Sequence, residues 1–277
     1  MPSFRFVDNL SPFLFHLHIA GHSLGVRWYG LAYITGLLGA WAAFRLAARR
    51  GILPGFGTDA QTQLIGAATI GVVGGGRLAF VLQHPHQLLT DPLFPFRVWQ
   101  GGMTFFGGLV GVILAMTWTA RKGRISFWRL ADVAAFPAAL GLGVGRIANF
   151  INGELWGKPT GADWGVIFPH ADALPRHPSQ LYEAVSHFFL LGILLWCWRR
   201  NPHWTQKKPG IFAALFLLLY GFLRFLTDFY REDDTYFGPF SSGQWASLIV
   251  AACGFSLLLW QNRNSQNVPV SPVTSAG

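Results

Sequence analysis

Charged residues are scarce in this chain of 277 residues, 12% of it against 52% hydrophobic. Soluble domains carry about a quarter charged residues, so there are too few here to solvate a globule of this length. That deficit excludes an ordinary water-soluble domain. Cysteine is nearly absent as well. Cys197 and Cys253 both fall inside apolar runs, and neither belongs to a CxxC pair or a metal-spaced set, so both read as small buried side chains. No internal repeat is visible, which removes the symmetry argument for an inverted-repeat transporter. A cleaved signal is not expected either. Residues 10–20 are apolar but short and hold two histidines, and only one basic residue, Arg5, precedes them, beside Asp8.

Long apolar runs take the place of charge. Seven recur, at about 28–47, 62–83, 103–120, 132–147, 180–198, 210–229 and 243–260, each near the length that crosses about 30 Å of hydrocarbon. The fourth is short and contains Pro137, which is expected to kink its helix. Abundant Trp and Phe suit lipid–water boundaries. The expected fold is an all-α polytopic membrane protein of seven transmembrane helices. The Gly- and Pro-rich connection at about 148–179 is expected to form a periplasmic loop subdomain over the outer face. One transmembrane domain is expected over 1–262, followed by a polar, disordered cytoplasmic tail at 263–277.

The formal net charge of +9 raises the question of nucleic acid. The cations, however, fall in small clusters between apolar runs and not along one basic face, which argues against it. With seven spans, Arg45, Arg49 and Arg50, then Arg121, Lys122, Arg124 and Arg129, then Arg199, Arg200, Lys207 and Lys208, and finally Arg263 all fall on one side. By the positive-inside rule that side is cytoplasmic. The N-terminus is then outside and the C-terminus inside.

A charge in hydrocarbon costs about 3 kcal/mol on insertion scales, and those that persist face a partner or a wet cavity. Arg27, Arg77, Asp132, Arg146, Glu154, Glu183, Arg224 and Asp228 lie in or beside the apolar runs, most near the predicted outer ends. Arg77 sits deeper, after Gly74, Gly75 and Gly76, glycines that would let another helix approach closely. In the sixth span Arg224, Asp228 and Arg231 are spaced i, i+4, i+7, on one helix face. They form either a structural ion pair or an arginine fork that Asp228 holds toward a phosphate.

The densest polar segment is GRIANFINGELWGKPT at 145–160. Arg146 and Asn149 share a face there, and Asn152, Gly153 and Glu154 follow where the helix should end. Gly157 and Pro159 permit a tight, irregular backbone. An arginine, two amides and a carboxylate beside exposed backbone suit a phosphate and glycerol site; the alternative is a capped helix end. RHPSQLYE at 176–183 opens the fifth span. Pro178 suits a helix start, Ser179 or Gln180 suits a cap or a ligand, and His177 is a general base or a structural histidine. His16, His18, His22, His84 and His86 lack matching carboxylates, so no metal is implied.

Together these segments resemble the prolipoprotein diacylglyceryl transferases. The resemblance runs from about Arg27 to Leu248. It is carried by RWYG at 27–30, GGRLAFVL at 75–82, GGMTFFGGLVG at 101–111, the 145–160 segment, RHPSQLYE, GFLRFLTDFYRE at 221–232 and SSGQW at 241–245. It implies an enzyme of the bacterial inner membrane that moves a diacylglyceryl group from phosphatidylglycerol to the lipobox cysteine of a secretory precursor. Glycerol phosphate leaves, and neither metal nor organic cofactor takes part. It makes Arg146 and Arg224 phosphate ligands and matches Tyr29, Asn149, Glu154 and Gly157 to other functional positions. Asp132 matches an aspartate at the head of the fourth span. With the residues read above, the catalytic candidates are Arg146, Arg224, Tyr29, Glu154 and His177. The substrate-binding candidates are Arg146, Asn149, Asn152, Gly157, Gln180, Asp228, Arg231 and Asp132.

Two positions depart from the family pattern. Phe106 stands where members usually have a histidine tied to activity, and Asp228 where they usually have glutamate. Phenylalanine cannot take a proton. Either His177 or Tyr29 serves as base, or the histidine only orients substrate in relatives, or this chain is a variant of weakened or altered activity. Rival readings are a protein that binds anionic phospholipid without turnover and a channel or transporter. Against the last, the charges cluster near one face and no polar stripe crosses the bilayer.

Overall fold

A computed structural model describes residues 6–19, 22–98, 101–232 and 235–266. Each of the seven apolar runs forms a helix: α1 (Trp28–Arg49), α2 (Thr58–Gln83), α4 (Phe105–Gly123), α5 (Phe127–Ile151), α6 (Ser179–Arg200), α8 (Ile211–Asp228) and α9 (Ser242–Gln266). Two short helices lie between them, α3 (Pro85–Thr90) and α7 (Trp204–Lys207). Six of the long helices have the length and apolarity to cross a membrane, so this is a multi-pass membrane protein. Helix α4 falls short of the other six because its last turn carries Arg121 and Lys122.

Several boundaries differ from expectation. Helix α5 is longer at both ends than 132–147 and continues through Pro137, since a helix satisfies its own backbone whether its end residues are polar or apolar. Helix α9 runs through Gln266, past the expected start of the tail at 263; residues 267–277 lie outside those described. Short β pairings also appear that apolar periodicity does not announce. Strands β2 (Phe13–Ile19) and β3 (His22–Arg27) form an antiparallel hairpin leading into α1. Strand β1 (Phe6–Val7) pairs in parallel with β4 (Val166–Ile167), which pairs antiparallel with β5 (Pro175–Arg176). A third pairing, β6 (Tyr236–Phe237) with β7 (Phe240–Ser241), leads into α9.

The chain divides into two compact units, 1–39 with 134–277, and 40–133. In the first, α5, α6 and α8 converge on a core of Ala135, Ala139, Leu190, Leu194, Ile211 and Phe212. Helix α9 packs on α8 through glycine. A Cβ on Gly221 would stand 2.5 Å from the Ser247 carbonyl oxygen and 2.5 Å from the Ala251 nitrogen, so only a bare backbone fits.

In the second unit α2 and α4 meet the same way. A Cβ on Gly71 would lie 2.5 Å from the Gly111 carbonyl oxygen, and Gly75 faces Gly107, the small-residue contact that membrane helices use to approach. The deep Arg77 serves the backbone here. Its guanidinium donates to the carbonyls of Phe94, Pro95 (3.1 Å), Gly101 (2.5 Å) and Gly102 (3.1 Å) and lies against the Phe94 ring. One buried cation thereby satisfies the irregular loop ahead of α4.

Candidate functional site

The 145–160 segment folds as its glycine requires. Gly153 has φ 63°, its N–H donates to the Phe150 carbonyl, and the Glu154 N–H donates to the Asn149 carbonyl. That pair of bonds is the Schellman close of a helix, with glycine at the left-handed position. It ends α5 abruptly and delivers Glu154 one residue past the cap. Asn152 donates to Glu154 Oε1 at 3.1 Å, and Tyr29, in the first turn of α1, donates to Glu154 Oε2 at 3.1 Å. Asn149 donates to the Tyr29 hydroxyl and accepts from Arg146 at 3.3 Å.

From Arg146 the network passes to Glu183, whose side chain is 1% exposed. Arg146 Nε lies 2.6 Å from Glu183 Oε2. Arg224 pairs with Glu183 Oε1, and Arg231 lies 3.6 Å from that same oxygen. Arg224 also meets Asp228 at 2.8 Å, and Asp228 accepts from Ser241 Oγ at 2.7 Å. The Ser241 N–H donates to Gln244 Oε1 at 2.9 Å, and the Gln244 N–H donates to Ser241 Oγ at 3.1 Å. One connected constellation therefore joins α1, α5, α6, α8 and α9 within the first unit.

Its charges are unevenly exposed. Among the described residues three guanidinium groups face two buried carboxylates, Glu183 and Asp228. The arginine side chains are 12–19% exposed while the carboxylates are sealed. At the arginine end positive charge is thus presented and its paired carboxylates are hidden, while Glu154 stands exposed at the other end. Planar guanidinium forks match phosphate oxygens in geometry.

The structure brings together Tyr29, Arg146, Asn149, Asn152, Glu154, Arg224, Asp228 and Arg231. Gln180 stands behind them. Fully buried, it donates to the Glu154 carbonyl at 2.6 Å, so it supports the loop from beneath. Gly157 has a backbone task. It bridges to Arg231, and a Cβ there would stand 2.5 Å from the carbonyl oxygens of both His177 and Tyr230; its bareness lets the Arg231 segment close in. His177 lies apart, among Trp164, Tyr182 and Tyr230, with Nδ1 3.1 Å from the Tyr182 hydroxyl. Burial pushes its imidazole below the usual histidine range. Asp132 is fully buried near the start of α5, in the second unit. Nearby, Arg176 hydrogen-bonds to Asp172 at 2.6 Å and holds that carboxyl below the usual range.

Four participants were not assigned from sequence. Glu183 was visible only as a charge in an apolar run. Ser241 and Gln244 gave no signal beyond lying in SSGQW. Leu155 is the fourth. Its φ is 57°, a region costing a non-glycine residue about 1–2 kcal/mol.

Comparison with known proteins decides what carries this constellation. The family model described as prolipoprotein diacylglyceryl transferase matches residues 14–260. The chain belongs to the prolipoprotein diacylglyceryl transferase family. Among curated phosphatidylglycerol–prolipoprotein diacylglyceryl transferases it is similar to that of Pasteurella multocida, with 46% identity over 85% of this chain and 88% of the relative. It is 44% identical to that of Vibrio cholerae over 91% and 92% of the two chains, and 42% identical to that of Pseudoalteromonas atlantica over 88% of each. The match to the prolipoprotein diacylglyceryl transferase model spans the network from Tyr29 to Gln244. Phe106 lies in the first turn of α4 in the second unit. It is 73% exposed with its ring edge-on to Phe105 at 5.7 Å.

Proposed function

We propose that the chain transfers the diacylglyceryl group of phosphatidylglycerol to the lipobox cysteine thiol of a secretory prolipoprotein. The reaction forms a bond from cysteine sulfur to the terminal glyceryl carbon and breaks the bond from that carbon to the phosphate oxygen. The electron pair leaves with the phosphate, glycerol phosphate departs, and the thiol proton passes to solvent or a base. The observation that carries this reading is the convergence of Arg146, Arg224 and Arg231 on the single buried Glu183. A phosphodiester with one negative charge becomes a monoester with more. Preorganised donors aimed at developing charge are worth about 10²–10³ in rate each. Arg146 and Arg224 are the principal phosphate ligands, Arg231 adds charge, and Asp228 and Glu183 orient the forks.

The same reading places the chain in the bacterial inner membrane with α4 as a seventh span, the N-terminus outside and the C-terminus cytoplasmic. The connection containing β4 and β5 then lies over the periplasmic face. In support, the basic clusters of the connections alternate with that count. The test is direct. Purified protein in phosphatidylglycerol liposomes should release glycerol phosphate and lipidate a lipobox peptide. Arg146→Ala and Arg224→Ala should insert normally and lose at least about 10²-fold in rate. Wild-type turnover by either variant would remove the phosphate assignment. Thiol labelling of single cysteines placed at Ala162 and at Asn264 should react from opposite sides of the membrane, and labelling from one side would overturn the topology.

A further inference from the structure

Leu155 holds a backbone conformation that helix closure does not demand. Gly153 already ends α5 in the left-handed region, with both cap bonds made. The other non-glycine residue there, Arg124 at φ 49°, closes α4 by donating its N–H to the Ala120 and Arg121 carbonyls. Leu155 closes nothing. Burial does not compensate it either, because it is 41% exposed.

The conformation is imposed from α6. Ser179 Oγ donates to the Leu155 carbonyl at 3.1 Å, and Gln180 Nε2 donates to the Glu154 carbonyl at 2.6 Å. Both side chains are fully buried. They clamp two successive carbonyls, and the clamp leaves the leucine side chain presented. Glycine would take this shape without strain, so the retained side chain calls for a role of its own. Strained residues held by their surroundings concentrate at ligand clamps and reacting centres.

We propose that Leu155 is a specificity residue of the transfer reaction, packing against the apolar residue beside the acceptor cysteine of the peptide substrate. The inference rests on the transferase reading. Displacement at carbon sets the side of approach, because nucleophile and leaving group lie on opposite sides of the reacting carbon. Phosphate at the arginine end of the network therefore places the thiol toward the Glu154 end, where Leu155 stands. The acyl chains of the lipid run into hydrocarbon, where exposed side chains such as Leu38, Ile249 and Phe222 on the spans already offer apolar surface.

The test uses the full chain in phosphatidylglycerol liposomes with a synthetic lipobox signal peptide. A photo-crosslinking side chain introduced at position 155 should capture the peptide, a readout that needs no turnover. Capture of lipid alone, or of nothing, overturns the proposal. In kinetics, Leu155→Ala should raise the peptide KM about tenfold, the factor expected from one lost leucine contact, with the KM for phosphatidylglycerol unchanged. Leu155→Met should restore the peptide KM to within about threefold, since it returns apolar volume. A peptide KM within twofold of wild type in Leu155→Ala also overturns it. Failure of the transferase reading looks different: no glycerol phosphate from the unsubstituted chain, with the crosslink still reporting on the leucine.

Discussion

Glu183 holds three guanidinium groups, and removing its charge should separate binding from turnover. Taking one partner from a buried ion pair destabilises by about 3–5 kcal/mol, because the other charge stays desolvated. The arginines here keep 12–19% exposure, so water relieves part of that and the low end, about 3 kcal/mol, applies to Glu183→Gln. Near this chain length that corresponds to a fall in melting temperature of about 6–12 °C. The site also loses one negative charge. Ground-state affinity for phosphatidylglycerol should therefore hold or tighten. The forks lose the carboxylate that aligns them with the departing oxygen, and kcat should fall about 10²-fold, the scale of one misplaced donor. Melting curves in detergent, lipid binding by calorimetry and glycerol phosphate release measure the three quantities on the same preparations. A Glu183→Gln protein that melts within about 2 °C of wild type and turns over within threefold would show that this carboxylate does not clamp the arginines. A fall in kcat with an equal fall in lipid affinity would refute the alignment argument in particular.

Other consequences follow from neighbouring features. Phe106 cannot accept a proton, so the rate should track the thiolate fraction of the acceptor cysteine, rising about tenfold per pH unit between about pH 6 and 8; Phe106→His should flatten that slope, and a flat wild-type profile would mean that another group is the base. Burial lowers the His177 pKa, so the folded state binds fewer protons than the unfolded one. The stability this represents is complete above about pH 6.5 and is lost as pH falls toward the folded value; melting curves of His177→Phe should lose that acid sensitivity. Gly221→Val should part α8 from α9, costing about 1–3 kcal/mol or more, whereas Gly192→Val on α6, where a Cβ meets open space, should change stability little. Replacing Leu155 by glycine relieves the left-handed strain and should leave the melting temperature equal or higher while activity falls.

The helices were legible because each is a long apolar run, and length against hydrocarbon thickness is a one-dimensional property. The polar cluster was legible in part for a similar reason: charges in apolar runs are rare enough to stand out, as Arg146, Arg224 and Asp228 did. The hub was harder. Glu183 is a single acid near a helix start, and its importance exists only when α5, α6 and α8 bring three arginines to it. Gln180 reads in sequence as a cap or a ligand and Gly157 as a tight-backbone position that the resemblance also matches; in the fold Gln180 donates to the Glu154 carbonyl and Gly157 lets the Arg231 segment approach. His177 attracted attention as a titratable group in a motif, but its ring belongs to an aromatic nest. Leu155 gave no signal, since a leucine in a sequence says nothing of its φ. The short β pairings are two to seven residues long, too brief for period-two alternation to register.

Stability alone does not account for this constellation. Buried ion pairs replaced by apolar residues of similar volume commonly leave a protein as stable, or more so. Three arginines and two acids inside a membrane bundle are therefore an expensive way to join α5, α6 and α8, and leucine would join them as well. What leucine could not do is turn the partly exposed sides of three guanidinium groups toward a phosphate, each acting more strongly there than at a fully exposed surface. The carboxylates make that tolerable. Each forms ion pairs with the arginines yet is itself sealed, so the forks are held in place and their partly exposed sides remain for an anion. Asp228 is shorter by a methylene than Glu183, and Ser241 reaches it at 2.7 Å. The serine anchors the carboxylate from the α9 side and keeps it within 2.8 Å of Arg224, so the shorter acid still aligns the fork.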